Sequence, residues 1–137
     1  MSLFVDTSAW YAAADTGDRG NAKARAILSA GETLVTTDHV LVETWTLLRH
    51  RIGRKSAERF WEGLRAGVAR LEPVTAADLE SAWAAGVRFP DRDFSLVDRT
   101  SFAVMERLGI QRVASFDEDF AIYRYGRDRR RSFEVIC

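Results

Sequence analysis

Apolar residues along the chain fall into two kinds of segment, short unbroken runs and longer stretches that repeat every three or four positions, with polar clusters between them. The first kind reads as buried strands and the second as one face of a helix. Leu3 to Val5 ends at Asp6-Thr7-Ser8, residues that favour caps and turns, which predicts a strand followed by a helix start. Alanine-rich Ala9 to Ala14 predicts a short helix and Asp15 to Gly20 a loop. Asn21 to Ala30 spaces Ala22, Ala26 and Ala30 beside Ile27 and predicts a second helix with Gly31 as its C-cap. Thr33 to Thr36 reads as the second strand. Asp38 then caps a helix whose Val40, Leu41, Leu47 and Leu48 share a face, with Glu43 near the edge of that face in the second turn.

The same pattern continues to the end. Lys55 to Ala66 predicts a helix with Phe60, Trp61 and Leu64 inward, and Val68 to Val74 the third strand. Thr75 with Asp78 resembles a capping box, opening a helix to Val87 with Leu79, Ala82, Trp83 and Gly86 along one side. After the polar loop at Phe89 to Asp93, Ser95 starts a helix that stops at Leu108-Gly109. Arg112 to Ser115 is the fourth strand, Asp117 to Tyr123 a turn or short helix, and Ser132 to Ile136 the last strand. Strands alternating with helices at this spacing define an α/β fold in three layers, with a parallel sheet of about four or five strands covered on both faces.

Length and charge narrow the function. A chain of 137 residues, 47% hydrophobic, fits one domain over 1–137 with its own core. Twenty basic and twenty acidic side chains cancel, so no global field draws in a polyanion. Contact with nucleic acid would rest on local clusters, Arg49, Arg51 and Arg54 or Arg124, Arg127, Arg129, Arg130 and Arg131. The single cysteine, Cys137, excludes an internal disulfide and a thiolate metal site, which fits a reducing cytoplasm. No signal-peptide pattern opens the sequence and no apolar run approaches the roughly 20 residues that cross a bilayer, so a cytoplasmic protein without a membrane partner is expected.

Four acids adjoin strongly apolar runs: Asp6, Glu43, Asp98 and Asp117. In a parallel sheet the ends of strands and the starts of the following helices lie at one edge, where open α/β sheets bind ligands. Asp6 and Asp117 end strands, whereas Glu43 and Asp98 sit in the first turns of helices, so all four are expected at that edge. Two carboxylates about 4 Å apart repel by roughly 4 kcal/mol at an effective dielectric near 20, far more than helix N-termini offset. A hard divalent cation relieves this while the acids stay ionised, and oxygen-only ligation points to Mg²⁺ or Mn²⁺. With His39 and His50 as the only histidines, zinc is a poor fit. Phosphodiester hydrolysis is the natural chemistry of such a site. Each acid alone also has a structural role open to it: Ser95-x-x-Asp98 as a capping box, Asp6 or Asp117 as a turn, Glu43 as a solvated helix edge.

At these four segments the sequence resembles the PIN-domain nucleases, especially the bacterial VapC-type toxin ribonucleases. The matching pieces are Phe4 to Ala9, Glu43 on the helix after the second strand, Asp93 to Asp98 with Ser101 to Met105 behind it, and Ser115 to Phe120. The resemblance implies an acidic Mg²⁺ or Mn²⁺ site that cleaves RNA by activating water. It assigns Asp6 and Asp98 as metal ligands, Glu43 as a ligand or a positioner of water, Asp117 as a ligand of a second site or one acting through water, and Ser8 as a hydrogen-bonding member. Asp119 is an alternative to Asp117, and Asp93 lies close enough to share the site. Arg99 stands where many relatives carry a small residue, a cation that would tune metal affinity or contact phosphate. The resemblance also implies a homodimer restrained by a cognate antitoxin, for which Trp10, Tyr11, Trp45, Phe60 and Trp61 are candidate interface residues.

Rival readings fit less well. A haloacid-dehalogenase-type phosphatase with Asp6 as nucleophile wants a second aspartate where Ser8 stands, and the lysines needed by a receiver domain, Lys23 and Lys55, fall on helices. The stronger rival is a PIN-like RNA- or protein-binding module without nuclease turnover.

Overall fold

The first strand of the chain becomes the centre of the sheet. A computed structural model describes residues 1–137 as strands β1 (Ser2–Val5), β2 (Thr33–Thr37), β3 (Arg70–Glu72), β4 (Arg112–Ala114) and β5 (Glu134–Ile136), all parallel, in the order β3-β2-β1-β4-β5. Seven helices accompany them: α1 (Thr7–Ala14), α2 (Asn21–Leu28), α3 (Asp38–Arg51), α4 (Arg54–Arg65), α5 (Ala76–Arg88), α6 (Leu96–Leu108) and α7 (Asp119–Ile122). The α/β class and the parallel sheet agree with the expectation from the sequence. The chain winds outward from β1 to β3, then returns to the other side of β1 for β4 and β5. The reversal leaves a crevice between the ends of β1 and β4, the position at which sheets of this kind take ligands.

Burial explains the runs. Leu3, Phe4 and Val5 are fully buried, because a central strand is covered on both faces. Under α6, Phe94, Phe102, Phe120, Tyr123 and Phe133 form one aromatic cluster, with Phe102 and Tyr123 stacked at 4.1 Å between ring centroids. Gly109 adopts φ +69° and closes α6 as the pattern predicts.

Several local expectations change. The N-cap of α3 is Thr37, whose Oγ1 accepts from the Val40 N–H at 3.1 Å; Asp38 Oδ1 instead accepts from His39 and Val74 N–H groups, both at 3.0 Å, and so ties the chain after β3 to the start of α3. Helix α2 ends at Leu28 with Ser29 as its C-cap, two residues before Gly31. Strand β3 is shorter than the run Val68 to Val74, since an edge strand pairs on one side alone. On α5 the buried face is Asp78, Ala82 and Ala85, and Leu79, Trp83 and Val87 point outward. The alanines let α5 lie close on α6, and at Gly86 a Cβ would stand 2.2 Å from an Arg99 guanidinium nitrogen. On α4, Ala57 and Leu64 are buried while Trp61 is exposed. Trp10 is core rather than interface: its Nε1 donates to Thr36 Oγ1 at 3.2 Å and its ring meets Phe60 edge-on.

Candidate active site

Strand pairing carries on one residue past β1. The Asp6 N–H donates to Ala114 O at 3.1 Å, so the Asp6 side chain stands beside Ser115 just where β1 and β4 end. Asp6 is the N-cap of α1, yet its carboxylate makes no capping bond. Its Oδ2 accepts from Ser8 Oγ at 3.1 Å and Ser115 Oγ at 3.0 Å instead. Ser8 Oγ in turn accepts from the Phe116 N–H at 2.9 Å, and Ser115 Oγ from the Asp117 N–H at 3.0 Å. Two hydroxyls thus fix the Asp6 carboxylate and tie it to the chain leaving β4.

Asp98 is held from a different direction. Ser95 caps α6 by accepting from the Asp98 N–H at 3.0 Å, but the reciprocal bond, Ser95 N–H donating to the Asp98 carboxylate, is absent. The contrast within the chain is direct, since the Thr75–Asp78 box on α5 closes in both directions. The unspent Asp98 carboxylate faces Asp117 and Asp119, and one oxygen of each of the three lies within 4.8 Å of the others. Asp117 Oδ1 accepts from the Asp119 N–H at 3.1 Å, which ties the two residues together in one short turn.

These groups line one cavity of about 510 Å³ together with Thr7, Ser8, Tyr11, Asp18, Glu43, Arg51, Asp93, Ser95 and Phe116. All four acids expected at the sheet edge are therefore in one cleft, and so are the alternatives Asp93 and Asp119. Asp119 belongs to the tight group of three, whereas Asp6 and Glu43 line the rest of the wall. Sequence reasoning passed over Ser115, which lies inside the quoted segment Ser115 to Phe120, and Asp18, for which no local pattern stands out; Tyr11, expected at an interface, and Arg51, expected in a basic cluster, line the same cavity. Arg99 departs from expectation: it lies outside this cavity, donates from Nε to Phe94 O at 3.1 Å and packs on Gly86.

The electrostatics follow from this crowding. Burial pushes the Asp6 carboxyl up to about 6, against bonds from Ser115, the Thr7 backbone and Ser8, with the charge of Glu43 adding to the rise. Burial also raises Asp98, followed by the charge of Asp6, a hydrogen bond to Asp119 and the charges of Asp117 and Asp119. Asp119 is raised as well, first by burial, while its bond from Asp98 pulls the other way. The donor set fits a hard cation: it is all oxygen, it converges, and Thr7 Oγ1 is buried in the wall with no hydrogen-bond partner.

A parallel sheet with a carboxylate cleft at its switch point is the arrangement of a known family, and its model, the PIN domain, matches residues 3–125. The chain belongs to the PIN-domain family. Among individual relatives it is similar to the 23S rRNA-specific endonuclease VapC20 of Mycobacterium tuberculosis, 43% identical over 120 residues that cover 87% of this chain and 92% of that one. The crystal structure of Mycobacterium tuberculosis VapC20, described as a sarcin–ricin loop cleaving toxin, superposes with a TM-score of 0.83 at 42% identity, covering 88% of this chain and 93% of that one. VapBC2 from Rickettsia felis, solved with a DNA fragment from its promoter, shares the fold at a TM-score of 0.70 and 7% identity, covering 99% and 98%.

Proposed function

We propose that this protein is a metal-dependent endoribonuclease and the toxin of a toxin–antitoxin pair, acting as a single nuclease domain in the cytoplasm. The observation that carries the reading is the convergence of Asp6, Glu43, Asp98, Asp117 and Asp119 on one cleft, where no ion pair neutralises them and burial raises the carboxyls of Asp6, Asp98 and Asp119. Asp6, Asp98 and Asp117 would hold Mg²⁺ or Mn²⁺, and Asp119, which converges with Asp98 and Asp117, is available to join them. Such an ion polarises a phosphoryl oxygen and lowers the pKa of water. Glu43 orients the attacking water and accepts its proton, and Ser8 and Ser115 keep the Asp6 carboxylate in place. The similarity to VapC20 supports a loop of large-subunit rRNA as the substrate. A cognate antitoxin as the restraint and a second copy completing a homodimer follow the resemblance to VapC-type toxins, and the outward Leu79, Trp83 and Val87 of α5 offer the homodimer an apolar stripe. No helix of the chain is long and apolar enough to cross a membrane.

The test is cleavage of 23S rRNA and of an isolated sarcin–ricin loop RNA, with product ends mapped. Cleavage is expected with Mn²⁺ or Mg²⁺, to stop with EDTA, and to be lost in Asp6→Asn and Asp98→Asn. Binding of the same RNA without cleavage by the wild type under every metal condition would favour the binding-module alternative.

A further inference from the structure

The acidic cavity is also lined by an aromatic and cationic group, Tyr11, Arg51 and Phe116, that neither adds to nor supports its carboxylates. Arg51 is the one basic residue in the lining, is exposed, and takes part in none of the molecule's ion pairs despite the carboxylates around it. Its guanidinium lies over the Tyr11 ring at 5.3 Å from the centroid, and the Tyr11 hydroxyl donates to Asp15 Oδ2 at 3.0 Å. The ring is thereby anchored and the arginine rests on it without a carboxylate partner, which leaves its charge available to an anion. A plain role as a last-turn cation of α3 is already served by Arg49.

Phe116 stands elsewhere on the same lining. It is 42% exposed, unusual for a phenylalanine in a polar cleft. Its backbone N–H is tied to Ser8, and its ring edge lies so close to Gly20 that a Cβ there would come within 2.7 Å of Cζ. The ring is held in position by a neighbour without a side chain, and part of its surface is left to solvent.

We infer that Arg51 and Phe116 form a clamp for single-stranded RNA at the acidic cavity, Arg51 donating to a backbone phosphate of the entering strand and Phe116 stacking an unpaired base. The clamp rests on the nuclease reading and names how that site takes its substrate. A cleft of carboxylates repels a phosphodiester, and an unpaired arginine within it offsets that repulsion. Stacking on an exposed ring accepts any base, so the clamp selects for unpaired nucleotides over sequence.

Binding of a 5′-fluorescein-labelled, mixed-sequence single-stranded RNA is measured by anisotropy in the Asp98→Asn background, alongside kcat and KM for cleavage in the otherwise unaltered chain. Arg51→Ala is expected to weaken binding about tenfold and to lower the salt slope by about one, with Arg51→Lys keeping that slope. Phe116→Ala is expected to weaken binding about tenfold without altering the slope, Phe116→Tyr to restore it, and an abasic probe to erase the Phe116 effect. Both losses should appear in KM with kcat little changed, at melting temperatures within about 3 °C of the parent. Unchanged affinity and KM in both alanine variants, or no RNA binding by the Asp98→Asn parent, would overturn the clamp. Failure of the unaltered chain to cleave any RNA, with these binding effects present, would overturn the nuclease reading and leave the clamp standing.

Discussion

At neutral pH and without a cation, the Asp98 carboxyl keeps a proton that a carboxylate in water would have lost, and the cause is burial reinforced by Asp6 and Asp119. An amide reproduces the neutral form, so Asp98→Asn should raise the metal-free melting temperature by about 3 °C or more at pH 7.5 while nearly abolishing the rise that Mn²⁺ produces in the wild type. Thermal melts with and without Mn²⁺ check both signs, and equal Mn²⁺ shifts in the two proteins would remove Asp98 from the metal site. Asp6 gives the pH window. Its folded value near 6 exceeds the ordinary 3.8, so its contribution to stability is fully present below 3.8 and is lost as pH rises through about 6. Metal-free stability should therefore fall from pH 4 to pH 7 by up to about 3 kcal/mol from this group, and the Mn²⁺ shift should grow over the same interval, as chemical unfolding at fixed pH would read out. Both residues were picked out from their neighbours in sequence, but a cap and a ligand share the same local pattern. The difference lies in whether the carboxylate closes back on its own helix, which depends on what stands opposite it.

Between α5 and α6 the same motif has the other outcome. Asp78 closes its box on Thr75 and also takes a two-pronged contact from Arg107, Nε to Oδ1 at 3.0 Å and Nη2 to Oδ2 at 2.9 Å. Burial alone would raise this carboxyl, yet Arg107 and Thr75 hold it below the usual carboxylate range, so its stabilisation is present above 3.8 and lost as pH falls through the lowered value. Asp78→Asn should cost about 2 kcal/mol at pH 7 and much less near pH 3, the opposite sign to Asp98→Asn, measured by urea unfolding. Helix existence and order were legible throughout because the periodicity is strong. Which face of α5 turns inward was not, since two small alanines and a glycine mark the packed side while Leu79, Trp83 and Val87 carry the hydrophobicity outward. Trp83→Ser should accordingly change monomer stability by less than about 0.5 kcal/mol, against several for a buried tryptophan, in the same unfolding assay at low protein concentration.

The whole molecule holds its cleft at one end and an aromatic cluster under α6 that reaches β5. Phe133 is 4% exposed and stacks on Tyr125 at 4.7 Å, so Phe133→Ala should lose about 3 to 5 kcal/mol although it touches no acid of the cleft; a Mn²⁺ response that survives below the lowered melting temperature would separate stability from site chemistry. The number of strands and their parallel sense could be read from the order of elements. Their lateral arrangement could not, because nothing local to Leu3 to Val5 says that its second neighbour is Arg112 to Ala114, and that pairing brings Asp6 to Ser115. The bond between these two joins positions 109 apart in the chain. Synthesis from the N-terminal side thus makes the central strand before every other strand of the sheet, and that strand gains its second partner only when β4 is made. The acidic cleft has no partial form: without the segment from Ser115 to Asp119, Asp6 lacks a hydroxyl that holds it and Asp98 lacks the two carboxyls it faces, so no shorter N-terminal piece of this fold carries the assembled cleft.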